Sequence, residues 1–302
     1  HRKLFHVAIS FSLTEAKCRK LPMRTSVFIL KLIRLQLAVQ CLLLIFTMLD
    51  KKFKKTLITL AVLLFWIGVW QVAFMLIDKE ILIVSPAAVL RRLFELLKTS
   101  EFWKSIGFTF LRISFGYFLG VFCGTALAVL TTAVSFFKTL FYPIISLVKA
   151  TPVVSFIILA LVWIKKNGVP VFITFLIVLP IIWANVSEGL NNTDKSMLEM
   201  AKVFKFGKLK TVRAVYVHSV LPYFAAGCTT ALGLAWKAGV AAEVISLPQS
   251  SVGYHLYRSK ITIETADLFA WTLVVILLSV CIEKVIMKLL KKIRGGKKNV
   301  EN

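Results

Sequence analysis

Acidic side chains are scarce in this chain: 14 Asp and Glu stand against 38 Lys and Arg, a formal charge of +24 over 302 residues. The bases flank apolar runs and form no aromatic-interleaved groove, which excludes a nucleic-acid surface. Recognisable catalytic patterns are missing as well. There is no G-x-x-x-x-G-K-[ST] loop to cradle phosphates, so the chain does not hydrolyse ATP itself, and neither H-E-x-x-H nor G-x-S-x-G occurs. No catalytic residue and no metal ligand can be nominated. The five cysteines, Cys18, Cys41, Cys123, Cys228 and Cys281, show no C-x-x-C spacing, which excludes a disulfide framework or a thiolate metal site read from sequence. The four histidines, His1, His6, His218 and His255, are equally isolated. Long runs also lack a polar side, which rules out the amphipathic helices of a soluble core.

What is present is hydrophobicity. Apolar residues make up 58% of the chain and the mean hydropathy is +0.83, the profile of an all-α polytopic membrane protein. Six segments approach the roughly 20 residues needed to cross about 30 Å of hydrocarbon: 56–77, 106–134, 140–164, 169–188, 223–245 and 267–289. The second is long and begins as an interfacial segment. Ahead of it, Ser85-Pro86 opens an amphipathic helix in which Val89, Leu90, Leu93, Phe94, Leu96 and Leu97 alternate with Arg91, Arg92, Glu95 and Lys98. Residues 1–47 read as an extension outside the functional unit, with Met48 the preferred start. Lys31, Arg34, Gln36 and Gln40 weaken a further span at 27–49. Residues 48–102 carry the first span and the amphipathic segment, 103–289 the main transmembrane domain with a polar loop at 189–222, and 290–302 a basic tail.

Orientation follows from charge, because short loops rich in Lys and Arg stay cytoplasmic. Lys51 to Lys55, Lys138, the cluster from Lys195 to Arg213 and the tail fall inside, as do both termini. Asp78, Glu80, Glu95, Glu101 and Glu264 fall outside, where Lys165-Lys166 is the discordant pair. No signal peptide is visible, since the run from Leu57 is long enough to span and lacks a small-residue cleavage site.

Within the spans a few residues stand out. Gly116, Gly120 and Gly124 recur every four positions, so they share one helix face on which another backbone can approach closely in lipid. Thr151-Pro152 and Pro180 are sites for kinks. Lys237 and Glu243 each cost at least about 2.5–3.5 kcal/mol near a bilayer centre, and six residues of helix separate them by about 9 Å on different faces. They therefore require water, another helix or a second protomer. Trp236, Lys237 and Glu243 are candidates for a translocation pathway.

The polar loop is the most patterned stretch. It reads Glu199-Met200-Ala201-Lys202-Val203-Phe204 and closes at Val220-Leu221-Pro222. The spacing of 197–204 predicts a short helix that turns Leu198, Ala201, Val203 and Phe204 towards protein and Lys202 and Lys205 towards water or an acidic surface. This order resembles the cytoplasmic EAA loop of ABC-importer permeases. Glu199 and Ala201 match the first and third letters of that signature, Met200 replaces the second, and Leu221-Pro222 matches its close. Where the family pattern has Gly, this chain has Lys205, with Gly207 two positions on, so the turn is expected to shift; His218 stands where a Pro is common. Leu232-Gly233-Leu234-Ala235-Trp236-Lys237, Ala241-Ala242-Glu243 and Ser85-Pro86-Ala87-Ala88-Val89-Leu90 are similar to the nitrate, sulfonate and taurine branch, and the resemblance covers about residues 56–287.

The resemblance implies a type I permease fold and a transport subunit without enzymatic activity of its own. It implies a homodimeric pore in the lipid bilayer, a cytoplasmic ABC ATPase dimer that binds ATP and Mg, and an extracytoplasmic solute-binding protein. Glu199, Met200, Ala201, Lys205, Gly207, Leu221 and Pro222 would then couple to the ATPase. The implied solute is a small anion of the nitrate, sulfonate or taurine type. Import of a pyrimidine-type vitamin precursor by the same machinery and ion-coupled secondary transport remain alternatives.

Overall fold

The computed structural model describes the backbone of residues 51–77 and 79–295 and the side chains of 56–77 and 79–288. The N-terminal extension, the segment 27–49 and the start at Met48 lie outside the described residues, as does the basic tail beyond residue 295. Contacts divide the chain into two units, His1–Val72 and Ala73–Asn302. The first contributes most of α1 (Lys51–Ile77), whose part Thr56–Ile77 is apolar enough to cross a membrane unaided.

Among the described residues of the second unit every regular element is a helix. After α2 (Pro86–Leu97) and α3 (Ser100–Ala133) come α4 (Ser135–Ala150), α5 (Val153–Trp163) and α6 (Val169–Asn191). Short helices α7 (Lys195–Val203) and α8 (Lys208–Thr211) lead through a π-helical turn, Val212–Tyr216, into α9 (Val217–Ser246), followed by α10 (Val252–Ile261) and α11 (Thr265–Gly295). The amphipathic helix starts as expected: Pro86 occupies its first turn and Ser85 caps it, its hydroxyl accepting from Ala88 N–H at 3.3 Å. Arg92 on α2 grips the Asp267 carboxylate on α11 with two nitrogens, one of them at 3.0 Å, and Thr265 Oγ1 donates to Ile81 O at 2.8 Å.

Three helices form the centre, and glycine decides how closely they meet. A Cβ on Gly116 would strike Val171 O and Thr174, one on Gly120 would come within 2.7 Å of Val178 Cβ, and one on Gly124 within 2.8 Å of Leu179 O. The expected glycine face therefore packs directly on α6. Because both residue numbers rise together along this contact, α3 and α6 run parallel. Along α9 the order reverses: Gly189 meets Val220 and Tyr223, Gly227 meets Asn185, and Gly239 meets Thr174 and Ile113. Thus α9 is antiparallel to both. In lipid such close backbone contact, with its dispersion energy, replaces the hydrophobic drive. Tyr117, Ala128, Val178, Ile182, Val186, Ala231, Leu232 and Ala235 fill the shared core, and Tyr117 donates to Cys228 O at 3.0 Å.

Two spans differ from the sequence expectation. The segment 140–164 is not one helix: α4 and α5 meet at Thr151-Pro152 with a bend of 108°. The residue before proline avoids the helical region, and Thr151 is extended at φ −83°, ψ 133°. Since α3 and α6 are parallel, this bent pair must return the chain from one end of the bundle to the other, so it serves as one broken span. Among the described residues four helices are long and apolar enough to cross a membrane, and α4 with α5 makes five. The sixth pass is α9, which begins at Val217 instead of 223 and keeps Pro222 inside the helix. Its 30 residues extend about 45 Å, yet it fails on apolarity because it faces protein on two sides and carries small and polar residues there.

Candidate coupling loop and translocation face

The loop 192–216 lies at the end of the bundle where α3 and α6 finish. Asp194 caps α7, accepting from Ser196 N–H at 2.8 Å, and hydrogen bonding from the Ser196 side chain first and its backbone N–H second holds the Asp194 carboxyl below the usual range. The cap is therefore Asp194, and Glu199 is left exposed, with no ion pair among the described residues. Helix α7 ends in a Schellman motif: Phe206 N–H donates to Ala201 O at 2.8 Å and Lys205 N–H to Lys202 O at 3.0 Å. That motif needs a left-handed residue, and Lys205 takes it at φ 49°. The turn has not shifted to Gly207, whose φ is −63°. A side chain in the left-handed region costs about 1–2 kcal/mol relative to the right-handed one, so the loop keeps its geometry where glycine would be cheapest.

Burial sorts the loop residues. Ala201 is only 2% exposed and packs within its own chain, so it holds α7 against the bundle and does not itself present to a partner. Leu198 is half-buried. Val203 and Phe204, expected to face protein, are 78% and 68% exposed, and Leu209 is 84% exposed. Phe206 is half-buried instead, with Lys210 Nζ over its ring at 4.1 Å. Met200, Lys205 and Gly207 are also exposed. Farther on, Leu221 is half-buried and Pro222 exposed on α9. The result is a rigid protrusion with apolar side chains at its tip and Lys202, Lys205, Lys208 and Lys210 around it.

The structure separates the three pathway candidates. Trp236 is buried against Ile113 and Val240 and donates Nε1–H to Val275 O at 3.3 Å. Glu243 is fully buried and bridges helices: Thr109 Oγ1 donates to it at 2.8 Å, Gly253 N–H at 3.3 Å, and Arg112 pairs with it at 3.3 Å. Only Lys237 lies on an open face, in a stripe with Ala226, Thr230, Leu234 and Ala241. Sequence reasoning missed Arg112, although a lone base inside an apolar span signals a need for a carboxylate. Arg112 also donates to Gln249 O at 3.1 Å and Ser250 O at 3.4 Å, and Thr109 Oγ1 accepts from Val252 N–H at 3.0 Å. This cluster pins the loop between α9 and α10, where Leu247 and Ser250 are both left-handed. A Cβ on Gly253 would collide with Glu243, so α10 sits hard against α9. Nearby, His255 lies flat on Trp271 with centroids 4.5 Å apart, its Nε2 2.9 Å from Ser105 Oγ.

Residues 102–294 match the family described as the binding-protein-dependent transport system inner membrane component. The chain belongs to this family. It is a multi-pass ABC permease of that group, with the all-helical type I fold the resemblance implied. It is 28% identical over 233 residues to a probable ABC transporter permease protein of Haemophilus influenzae, covering 76% of this chain and 91% of that protein. It is similar to the bicarbonate transport system permease protein CmpB of Synechocystis, at 24% identity, and to the nitrate import permease protein NrtB of Synechococcus elongatus, at 27%. These two matches cover 52% and 48% of this chain and only 56% and 52% of the relatives' lengths.

Proposed function

We propose that this permease is the transmembrane subunit of an ATP-driven importer of a small anion of the nitrate, bicarbonate or sulfonate type. Energy comes from a separate dimeric ABC ATPase that holds ATP and Mg, and solute arrives from an extracytoplasmic binding protein. Two copies of the chain enclose the path, with the loop 192–216 and both termini in the cytoplasm. The observation that carries this reading is the protrusion of α7 and α8. Val203, Phe204 and Leu209 expose apolar surface inside a basic loop whose backbone is fixed by an Asp cap and a Schellman turn. A rigid handle with an apolar tip transmits motion only when a two-state cleft grips it.

Lys237 supports an anionic cargo. It is the exposed cation on the open stripe of α9, where the small Ala241 one turn on leaves room beside it. The buried carboxylate Glu243, by contrast, is committed to Arg112, which leaves it poorly placed to carry ions in the secondary-transport alternative. The test is reconstitution with the ATPase that co-purifies with the chain, measuring vanadate-sensitive uptake of nitrate, bicarbonate and alkanesulfonates. Replacing Phe204 and Leu209 with Asp should abolish co-purification while leaving the protein folded. ATP-independent movement of the solute by the purified chain alone would refute the proposal.

A further inference from the structure

At the end of the bundle that carries the basic loop, the last turns of α3 and α6 and the first turn of α4 flank an open cavity of about 390 Å3 with both polar and apolar lining. This falls within the roughly 300–1,000 Å3 of small-molecule sites. Its walls carry opposite charges, Lys138 from α4 and Glu188 from α6. Neither makes an ion pair among the described residues, so the two charges face one cavity without neutralising each other. Thr132 and Ser135 line it at exposed positions, and Ser187, also on its wall, has a buried Oγ with no partner among the described residues. A buried hydroxyl left unpaired costs about 1–3 kcal/mol. Trp183 closes one side, its indole N–H fixed on Thr131 Oγ1 at 2.9 Å and Lys149 Nζ standing 5.5 Å from its ring centroid. Helix α4 begins here without a side-chain cap, so its first N–H groups favour an oxyanion.

A ligand that satisfies this wall carries an oxyanion for Lys138, Ser135 and Thr132 and an ammonium for Glu188. We infer that the cavity seats the phosphate and primary ammonium of an aminophospholipid headgroup. A lipid is the source because the rim of the cavity passes directly into apolar surface: Val134, Phe136 and Leu140 are all exposed on the same turns of chain and suit acyl chains. The site is independent of which solute crosses the membrane. It clamps the junction of α3, α4 and α6 one helix away from α7.

The experiment uses the full chain, delipidated in detergent, with thermal unfolding followed as lipid is titrated, since a ligand that binds only the folded state raises its stability with concentration. Phosphatidylethanolamine should raise the transition temperature saturably. Phosphatidylcholine, which has no ammonium N–H, and phosphatidylglycerol, which has no ammonium, should need at least about five-fold more lipid. Lys138→Gln and Glu188→Gln, both at exposed positions, should each weaken the ethanolamine effect by a similar factor, whereas Lys166→Gln should not. Equal stabilisation by the three headgroups, or unchanged titrations in both cavity variants, overturns the site. Soluble O-phosphoethanolamine acting as well as the lipid overturns the lipid source.

Discussion

The Arg112 and Glu243 pair lends itself to a quantitative test because its two members are buried unequally. The Glu243 side chain has no solvent exposure, whereas that of Arg112 keeps 13% and holds two further backbone carbonyls. Removing one partner of a buried pair typically costs about 3–5 kcal/mol, since the other charge is stranded. Arg112→Met strands a carboxylate that retains only Thr109 and Gly253 as donors, so it should cost the upper part of that range. Glu243→Gln keeps an oxygen for those two donors and leaves Arg112 its carbonyls and its partial exposure, so it should cost about 1.5–3 kcal/mol, the worth of a charged hydrogen bond. In the double variant no unpaired buried charge remains. Its loss should fall below the sum of the single losses by at least about 1.5 kcal/mol. Equilibrium unfolding of the detergent-solubilised chain measures all three, and limited proteolysis at 247–251 reports whether the pinned loop is released. Additive losses, or Glu243→Gln proving the worse substitution, would show that the pair is not the element holding this loop.

Other expectations follow from local geometry. Lys205→Gly removes the left-handed penalty at the end of α7 and should stabilise that turn by about 1 kcal/mol, read as roughly five-fold slower amide exchange at Phe206; no change would mean that the turn is held by something else. Gly120→Ala should destabilise by about 1–3 kcal/mol through overpacking on Val178, whereas Gly233→Ala, whose Cβ meets nothing within 4 Å, should be neutral or stabilising in the same unfolding assay. Burial lowers the His255 pKa, opposed by Glu101 and Asp267 and aided by Arg258. The folded state therefore favours the neutral ring, and its contribution is fully present above the unfolded value of about 6.5. Stability should fall as pH drops below that value and through the lower folded one, and His255→Gln should flatten the profile; an unchanged slope would refute the assignment.

Much of the architecture was legible from hydropathy and spacing. The Ser85-Pro86 start, the glycine face of α3 and the position of the basic loop each rest on a local rule that the tertiary structure obeys. The break at Thr151-Pro152 was visible as a kink site but not as a full stop between two helices. Pro180 and Pro222 remain inside continuous helices, and Pro180 is itself buried in the bundle. The partner of Glu243 was hidden for another reason: Thr109 and Arg112 lie more than 130 positions away, and only the antiparallel register of α3 and α9 brings them together. Lys205 shows the reverse situation, in which a substitution at a glycine position suggested a displaced turn and the chain absorbed the strain in place.

Helix α9 is one of the three helices at the centre, yet by composition it would not partition into lipid alone. Its acceptance into the bilayer depends on surfaces that α3 and α6 already offer: Gly189 of α6, which lets Val220 and Tyr223 come close, and Thr109 and Arg112 of α3, which hold its carboxylate. Synthesis order supplies them first, because both helices leave the ribosome before α9. Biogenesis of this protein is therefore conditional, with the central helix recruited into a waiting cradle by its neighbours, and damage to that cradle would surface as a failure of insertion before any failure of transport.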